Sequence, residues 1–317
     1  MLDIYGRDIN YLRISLTDRC NLRCIYCLPE KAIFKGKDRL SKDDVLKISE
    51  AGKRIGINKI RLTGGEPLLR EDIVEIVEGI KKIGIDRIYI TTNGILLEEK
   101  IRDLKKVGLS GVNISLDTTD SELFKKITRG GNLDKVINGI DTSLSLGLSV
   151  KINSVILKGI NDVSIKSLAG LTFDRNIDVR FIELMPIGEG KKYDGIKNSE
   201  IYEYLKKEYG FLDEKKTEGV SEYFTLVSGK GRIGFISPLN NCFCETCNKI
   251  RVTSDGTLKR CLNMEGTLNL KDMSIEEKNI DEIEEILKYE IYRKPEKHLF
   301  GQKNENEEKK NMNEIGG

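Results

Sequence analysis

Cys20, Cys24 and Cys27 stand within eight residues of one another near the start of the chain. Cys242, Cys244, Cys247 and Cys261 form a second group, and no cysteine lies between the two. The total of seven is odd, and the opening Met1-Leu2-Asp3-Ile4-Tyr5-Gly6-Arg7 lacks the apolar stretch of an export signal. Both facts argue against a disulfide framework. Such clustering is the pattern of metal ligation, because one metal centre needs several thiolates converging on it. The fold therefore has to gather each group of thiols.

A chain of 317 residues makes one large or two modest domains. Its 53 Lys and Arg against 51 Asp and Glu leave a formal charge of +2. A strongly basic nucleic-acid surface is not implied, although a local basic pocket is compatible with that balance. No uncharged apolar run approaches the roughly 18 residues of a membrane span. The expectation is a cytoplasmic protein with neither nucleic acid nor membrane as partner.

Between residues 12 and 183 short apolar runs alternate with helical patterns. Runs at 12–16, 59–62, 87–91, 111–115, 150–156 and 178–183 read as buried parallel strands. Ser41 is placed to cap a helix carrying Asp43 and Asp44 in its first turn and Val45, Ile48 and Ala51 at helical spacing. Residues 71–83, 96–107 and 133–146 repeat the helical pattern. Six such units predict an α/β fold, either an incomplete barrel or an open doubly wound sheet. Beyond residue 195 the pattern shifts to a helix at 199–209, strands at 223–227 and 232–236, and a hairpin of 250–253 and 257–260 around Ser254-Asp255-Gly256. The predicted division is a core of residues 1–217, a smaller α+β domain at 218–301 and a mobile polar tail at 302–317.

The first cysteine group follows the first predicted strand, where barrel active sites are built. Three thiolates on a four-iron cluster leave one iron without a protein ligand, and so open to chemistry. The alternative is a zinc loop completed by a distant residue such as His298, the sole histidine. The run Cys20-Asn21-Leu22-Arg23-Cys24-Ile25-Tyr26-Cys27 resembles the signature of the radical S-adenosylmethionine superfamily, and Thr63-Gly64-Gly65-Glu66-Pro67 is similar to that family's Gly-Gly-Glu segment. The resemblance implies a partial six-unit barrel, an incomplete (β/α)6 TIM-like fold. It also implies a [4Fe-4S] cluster whose open iron binds S-adenosylmethionine and cleaves it to methionine and a 5′-deoxyadenosyl radical.

The spacing Cys244-x2-Cys247-x13-Cys261 offers three more ligands. From spacing alone, structural zinc with Cys242 as fourth ligand stands beside a second cluster. Lys249 and Arg251 lie two and four residues after Cys247, on one side of a strand, and cations beside a metal site suit an anionic substrate. Residues 241–262 resemble one branch of the superfamily, the GTP 3′,8-cyclases of molybdenum-cofactor biosynthesis. So do Leu16-Thr17-Asp18-Arg19-Cys20-Asn21, Thr91-Thr92-Asn93-Gly94, Phe181-Ile182-Glu183-Leu184-Met185-Pro186 and the terminal Gly316-Gly317.

That resemblance implies a second [4Fe-4S] cluster on Cys244, Cys247 and Cys261, facing the first across the lumen. It implies a GTP site formed by Arg13, Lys59, Arg61, Thr92, Lys151, Arg180, Lys249, Ile250 and Arg251, and an S-adenosylmethionine pocket including Tyr26, Gly65, Ser115 and Met185. Arg13, Arg61, Gly316 and Gly317 are carried over as catalytic, with the terminal glycines reaching into the barrel. Lys249 stands where the family commonly has arginine, keeping the charge without the bidentate fork. Cys242 reads as a non-ligand. The implied reaction removes the ribose C3′ hydrogen of GTP, and the resulting radical attacks C8 of the base. Implied partners are a ferredoxin- or flavodoxin-type electron donor, a downstream cyclic pyranopterin monophosphate synthase and a second copy in a homodimer. The rivals are a peptide-modifying radical enzyme with an auxiliary cluster and a non-catalytic metal-binding regulator.

Overall fold

The computed structural model describes residues 1–32, 34, 40–212, 215–240, 243–298, 300 and 308–316; Cys242 and Gly317 lie outside the described residues. The first half runs β1 (Tyr11–Ser15), α1 (Lys42–Arg54), β2 (Lys59–Thr63), α2 (Ile73–Lys82), β3 (Arg87–Thr92), α3 (Leu97–Lys106) and β4 (Gly111–Ser115). It continues with α4 (Ser121–Thr128), α5 (Leu133–Ser145), β5 (Ser149–Val155), α6 (Ile165–Asp174) and β6 (Asp178–Ile182). The six expected strands are all present, in register and parallel.

Their side chains alternate. Leu12 and Ile14, Ile60 and Leu62, Ile88 and Ile90, Val112 and Ile114, and Val179 and Phe181 are sealed in the core with the inner faces of the helices. Each fully buried aliphatic chain of this kind contributes roughly 1.5–3 kcal/mol by leaving water. The intervening positions carry polar and charged groups, so each strand has one dry face and one wet one. Helix α1 begins as its sequence dictates: Ser41 Oγ accepts from the Asp44 N–H while the Asp44 carboxylate accepts from the Ser41 N–H.

The second half gives α7 (Asn198–Tyr209), β7 (Lys216–Glu218), β8 (Ser221–Phe224), β9 (Arg232–Ile236), β10 (Lys249–Val252), β11 (Thr257–Lys259), β12 (Leu268–Asn269), α8 (Ile280–Tyr292) and α9 (Met312–Ile315). The boundary expected at 217/218 does not break the sheet. Among the described residues the strand order is β12-β11-β10-β1-β2-β3-β4-β5-β6-β9-β8-β7, one sheet of twelve strands. Strand β10 pairs parallel with β1, and β9 pairs parallel with β6. The two late strands thus extend the six-strand run at both ends, giving a barrel-like α/β arrangement with antiparallel edges. Helix α8 packs on α1, where Lys47 Nζ donates to the carbonyls of Ile275, Glu276 and Lys278. Among the described residues no helix is long and apolar enough to cross a membrane.

The expectation of a mobile tail is corrected for residues 308–316. They carry α9 and bury Ile315, with Glu308 at 4% exposure. Polarity suggested solvent, but the polar groups here are met by polar partners on the barrel.

Candidate active site

The wet faces of the strands surround a cavity of about 1060 Å³. Strand β1 sends in Tyr11 and Arg13, β2 sends Lys59 and Arg61, β5 sends Lys151 and Asn153, β6 sends Asp178 and Arg180, and β10 sends Lys249 and Arg251. Pairing sets Arg13 between Arg61 and Arg251. All six expected lumen cations on these strands, together with Lys249, therefore converge on one space.

Two carboxylates line it among the described residues, Asp178 and Glu218. Asp178 accepts from Lys151 Nζ at 2.5 Å and from Arg232 Nη2 at 2.9 Å, and Glu218 also takes Arg232. The remaining charge is felt by its neighbours. Burial and the Arg251 guanidinium push Arg13 well below its usual range. Burial, with Arg61, Arg87 and Lys249 nearby, lowers Lys59 to about 8. Burial, with Arg251 and Arg13 nearby, lowers Lys249 to about 8. Tyr11 was not foreseen as a site residue. Burial raises its phenol, yet Arg61, Arg13 and Lys59 outweigh burial and bring it to about 7. Its oxygen accepts from Arg61 Nε, and Lys59 Nζ lies 4.5 Å from its ring centre. A lumen so charged is suited to a polyanion.

Two expected lumen residues face elsewhere. Thr92 is 2% exposed, and its hydroxyl donates to Glu66 Oε1 at 2.8 Å. The cavity-facing residues of β3 are Arg87, Tyr89 and Thr91, so strand alternation gives the place to Thr91. Ile250 lies between Lys249 and Arg251 and points into the apolar core, leaving only its backbone toward the site. Met185 does line the cavity, and Ser115 shares the lumen phase of Asn113 at the end of β4.

The loop bearing Cys20, Cys24 and Cys27 leaves the C-terminal end of β1. The Arg23 and Ile25 N–H groups donate to the Thr128 and Ile127 carbonyls at the end of α4. The Leu22 N–H donates to Cys20 Sγ at 3.4 Å and Asn93 Nδ2 to the same sulfur at 3.6 Å. Burial raises all three thiols, Cys20 to about 11, Cys27 to about 12, and Cys24 well above its usual value, with the neighbouring thiolates adding to Cys24 and Cys27. The three sulfurs are thus close enough to repel when charged. Among the described residues no three His, Cys, Asp or Glu groups have the tight arrangement of a single-ion site. Three mutually coupled thiols fit a cuboidal cluster, in which each sulfur takes a different iron.

Gly64 and Gly65 are pressed against this loop. A Cβ on Gly64, at φ 145°, would stand 2.4 Å from the Thr17 carbonyl oxygen, and one on Gly65 would stand 2.3 Å from that of Arg19. Glu66 is sealed beneath, its carboxylate accepting from the Leu68 and Asn93 N–H groups and the Thr92 hydroxyl. Burial raises it to about 7. Tyr26 donates to Asp117 Oδ2 at 2.7 Å, which fixes its ring beside the thiols.

Cys244, Cys247 and Cys261 line the cavity itself. Cys247 lies two residues before Lys249, which pairs with Tyr11 at the start of β1, so this group sits at the N-terminal end of the strands. The first group sits at the opposite end. A five-residue strand such as β1 spans roughly 17 Å between them. Burial raises the Cys247 thiol, but the Lys294 and Lys249 ammonium groups outweigh it and leave the thiol below its ordinary value. Thiolates are the metal-binding form, so this donor set also fits a metal centre. His298, considered above for the first group, lies with the second, and its backbone N–H donates to Cys244 Sγ at 3.3 Å.

The terminal arm enters from the side of β10 and β11. Gly316 adopts φ 69°, and its carbonyl accepts from Arg13 Nη2 at 3.4 Å and Arg251 Nη1 at 3.3 Å.

Residues 14–171 match the Radical SAM superfamily and residues 177–300 match Molybdenum Cofactor Synthesis C. The chain is 50% identical over 323 residues to "GTP 3′,8-cyclase" of Clostridium perfringens (strain SM101 / Type A), covering all of both chains. It is 46% identical to the protein of that name in Clostridium acetobutylicum and 44% to that in Alkaliphilus oremlandii, again over the full length of each. Among solved structures it resembles Streptococcus suis SuiB bound to S-adenosylmethionine, with a TM-score of 0.63 and 17% identity over 87% of this chain and 65% of that one. It also resembles anSMEcpe with bound AdoMet, with a TM-score of 0.53 and 16% identity over 86% of this chain and 81% of that one. At such identity these two likenesses show the fold alone.

Proposed function

The chain belongs to the GTP 3′,8-cyclases, radical S-adenosylmethionine enzymes of molybdenum-cofactor biosynthesis, and from that premise we propose how its own residues serve the reaction. The enzyme is a lyase that converts GTP to (8S)-3′,8-cyclo-7,8-dihydroguanosine 5′-triphosphate and releases 5′-deoxyadenosine and methionine. Cys20, Cys24 and Cys27 would hold a [4Fe-4S] cluster, which when bound would supply the electron for cleaving S-adenosylmethionine and so the radical chemistry at the ribose. Gly64 and Gly65 keep backbone close to that cosubstrate, Tyr26 borders it, and Ser115 and Met185 complete its pocket.

The lumen cations hold GTP. Arg13, Arg61, Arg180 and Arg251 offer planar forks to phosphate oxygens, while Lys59, Lys151 and Lys249 add point charges. Thr91, rather than Thr92, supplies the polar contact from β3. Cys244, Cys247 and Cys261 would hold a second [4Fe-4S] cluster, and Gly316 closes the site beside Arg13 and Arg251. The observation that carries this reading is the pair of cysteine groups at opposite ends of one cationic lumen. A substrate fixed at one end then presents a single hydrogen to the other, and proximity decides which is taken. The reading includes a ferredoxin- or flavodoxin-type electron donor, a cyclic pyranopterin monophosphate synthase acting on the product, a homodimer, and residues 218–301 as the auxiliary-cluster region.

The test is anaerobic reconstitution with iron and sulfide, metal analysis, reduction, and addition of S-adenosylmethionine with and without GTP. About eight irons per chain with GTP-dependent cyclised nucleotide is expected. About four irons with one zinc would instead assign the second group, with His298 beside it, to a Cys3His zinc site.

A further inference from the structure

The arm is held by charged groups that the reaction itself does not require. Lys259 is 1% exposed on β11 and forms an ion pair with Glu308, whose side chain is 3% exposed. The Glu308 N–H donates to the Asn263 carbonyl at 2.9 Å. Two residues on, Lys310 Nζ donates at 2.7 Å to Asp255 in the turn between β10 and β11. Further along, Asn313 Nδ2 donates to the Asp18 carbonyl at 2.9 Å.

Strand register explains why these contacts bear on the site. Lys259 pairs across the hairpin with Arg251, and Arg251 holds the Gly316 carbonyl. One hairpin therefore grips the arm at three points: Lys259 at Glu308, Asp255 at Lys310, and Arg251 at Gly316. We propose that the Lys259–Glu308 and Asp255–Lys310 pairs form a latch whose positioning residues set Gly316 in the lumen. This deepens the reading of Gly316 as part of the active site and rests on it. Removing one partner of such a pair leaves a desolvated charge, and the arm gains by leaving.

The latch is tested on the reconstituted full-length enzyme under anaerobic conditions by thermolysin cleavage before Met312 or Ile315, followed by mass spectrometry. Cleavage should be slow in the native chain and at least roughly tenfold faster in Lys259→Met and in Glu308→Gln. The exchange Lys259→Glu with Glu308→Lys should restore protection. Lys310→Gln, which alters a more exposed group and leaves the core intact, should show a smaller change of the same sign. Unchanged cleavage in both single variants, or an exchanged pair that cleaves as fast as the singles, overturns the latch. GTP product formed by the same samples separates the two claims. A released arm with lost product and continued S-adenosylmethionine cleavage supports both. A released arm with undiminished product leaves the latch standing and overturns the catalytic placing of Gly316.

Discussion

Replacing Gly316 with alanine asks the barrel to accept a methyl group for which it has no space. The residue sits at φ 69°, where an L side chain costs about 1–2 kcal/mol. The new Cβ would lie 2.8 Å from the Ser15 Cβ and 3.1 Å from the Thr63 Cγ2, on two neighbouring strands that cannot separate without breaking the sheet. Overpacking of this kind costs about 1–3 kcal/mol. The two together shift arm docking by roughly 2–5 kcal/mol, or about 30-fold to several-thousand-fold. Because the strain falls on docking of the arm, the melting temperature should hardly move while GTP product falls by at least roughly tenfold. The assay is anaerobic turnover with separate quantitation of cyclised nucleotide and 5′-deoxyadenosine. Adding Ser15→Gly removes the nearest obstacle but not the backbone cost, and should restore part of the loss. Native product formation by Gly316→Ala would refute the reasoning.

The two cysteine groups should separate in the same assay: Cys24→Ala should abolish 5′-deoxyadenosine, whereas Cys247→Ala should spare some of it and lose the GTP product, with iron analysis reporting which centre is gone. Thr91→Val should raise the KM for GTP with little effect on melting, while Thr92→Val removes one of the three donors to the buried Glu66 carboxylate and should cost about 1–3 kcal/mol in denaturant unfolding. The free enzyme's affinity for GTP should weaken as pH rises through about 8, because Lys59 and Lys249 have been lowered to that value and lose their charge there. Lys59→Arg keeps its charge and should flatten that profile, and an affinity level from pH 7 to pH 9 would contradict it.

The six parallel strands were legible as short apolar runs between helical patterns, and within each run a sealed aliphatic residue alternates with a lumen residue, a local pattern that survives any tertiary context. The same alternation could have separated Thr91 from Thr92 and excluded the Ile250 side chain. Within β3 it is the phase of Arg87 and Tyr89 that decides, and a match of motifs alone does not carry phase. Tyr11 was passed over for a related reason: its role comes from the cations of β2 and β10 on either side, which pairing brings together and sequence distance hides. The merging of the two halves into one sheet was not legible, since the parallel partners of β9 and β10 lie more than fifty residues away in the chain. The arm misled through composition. Its Glu and Lys residues look solvated until Lys259 and Asp255 are seen opposite them.

The placing of the two cysteine groups at the two ends of the same paired strands turns strand length into a ruler. Loops can lengthen or shorten without changing the separation, because β1, β2 and β10 are locked in register. Inserting two residues into these strands, the smallest step that preserves which side chains face inward, would move the groups apart by roughly 6.6 Å. That step exceeds the tolerance of any hydrogen abstraction. A change of substrate size on this scaffold therefore has to come from the lumen side chains, such as Tyr11 or Lys249, with the length of the strands left as it is.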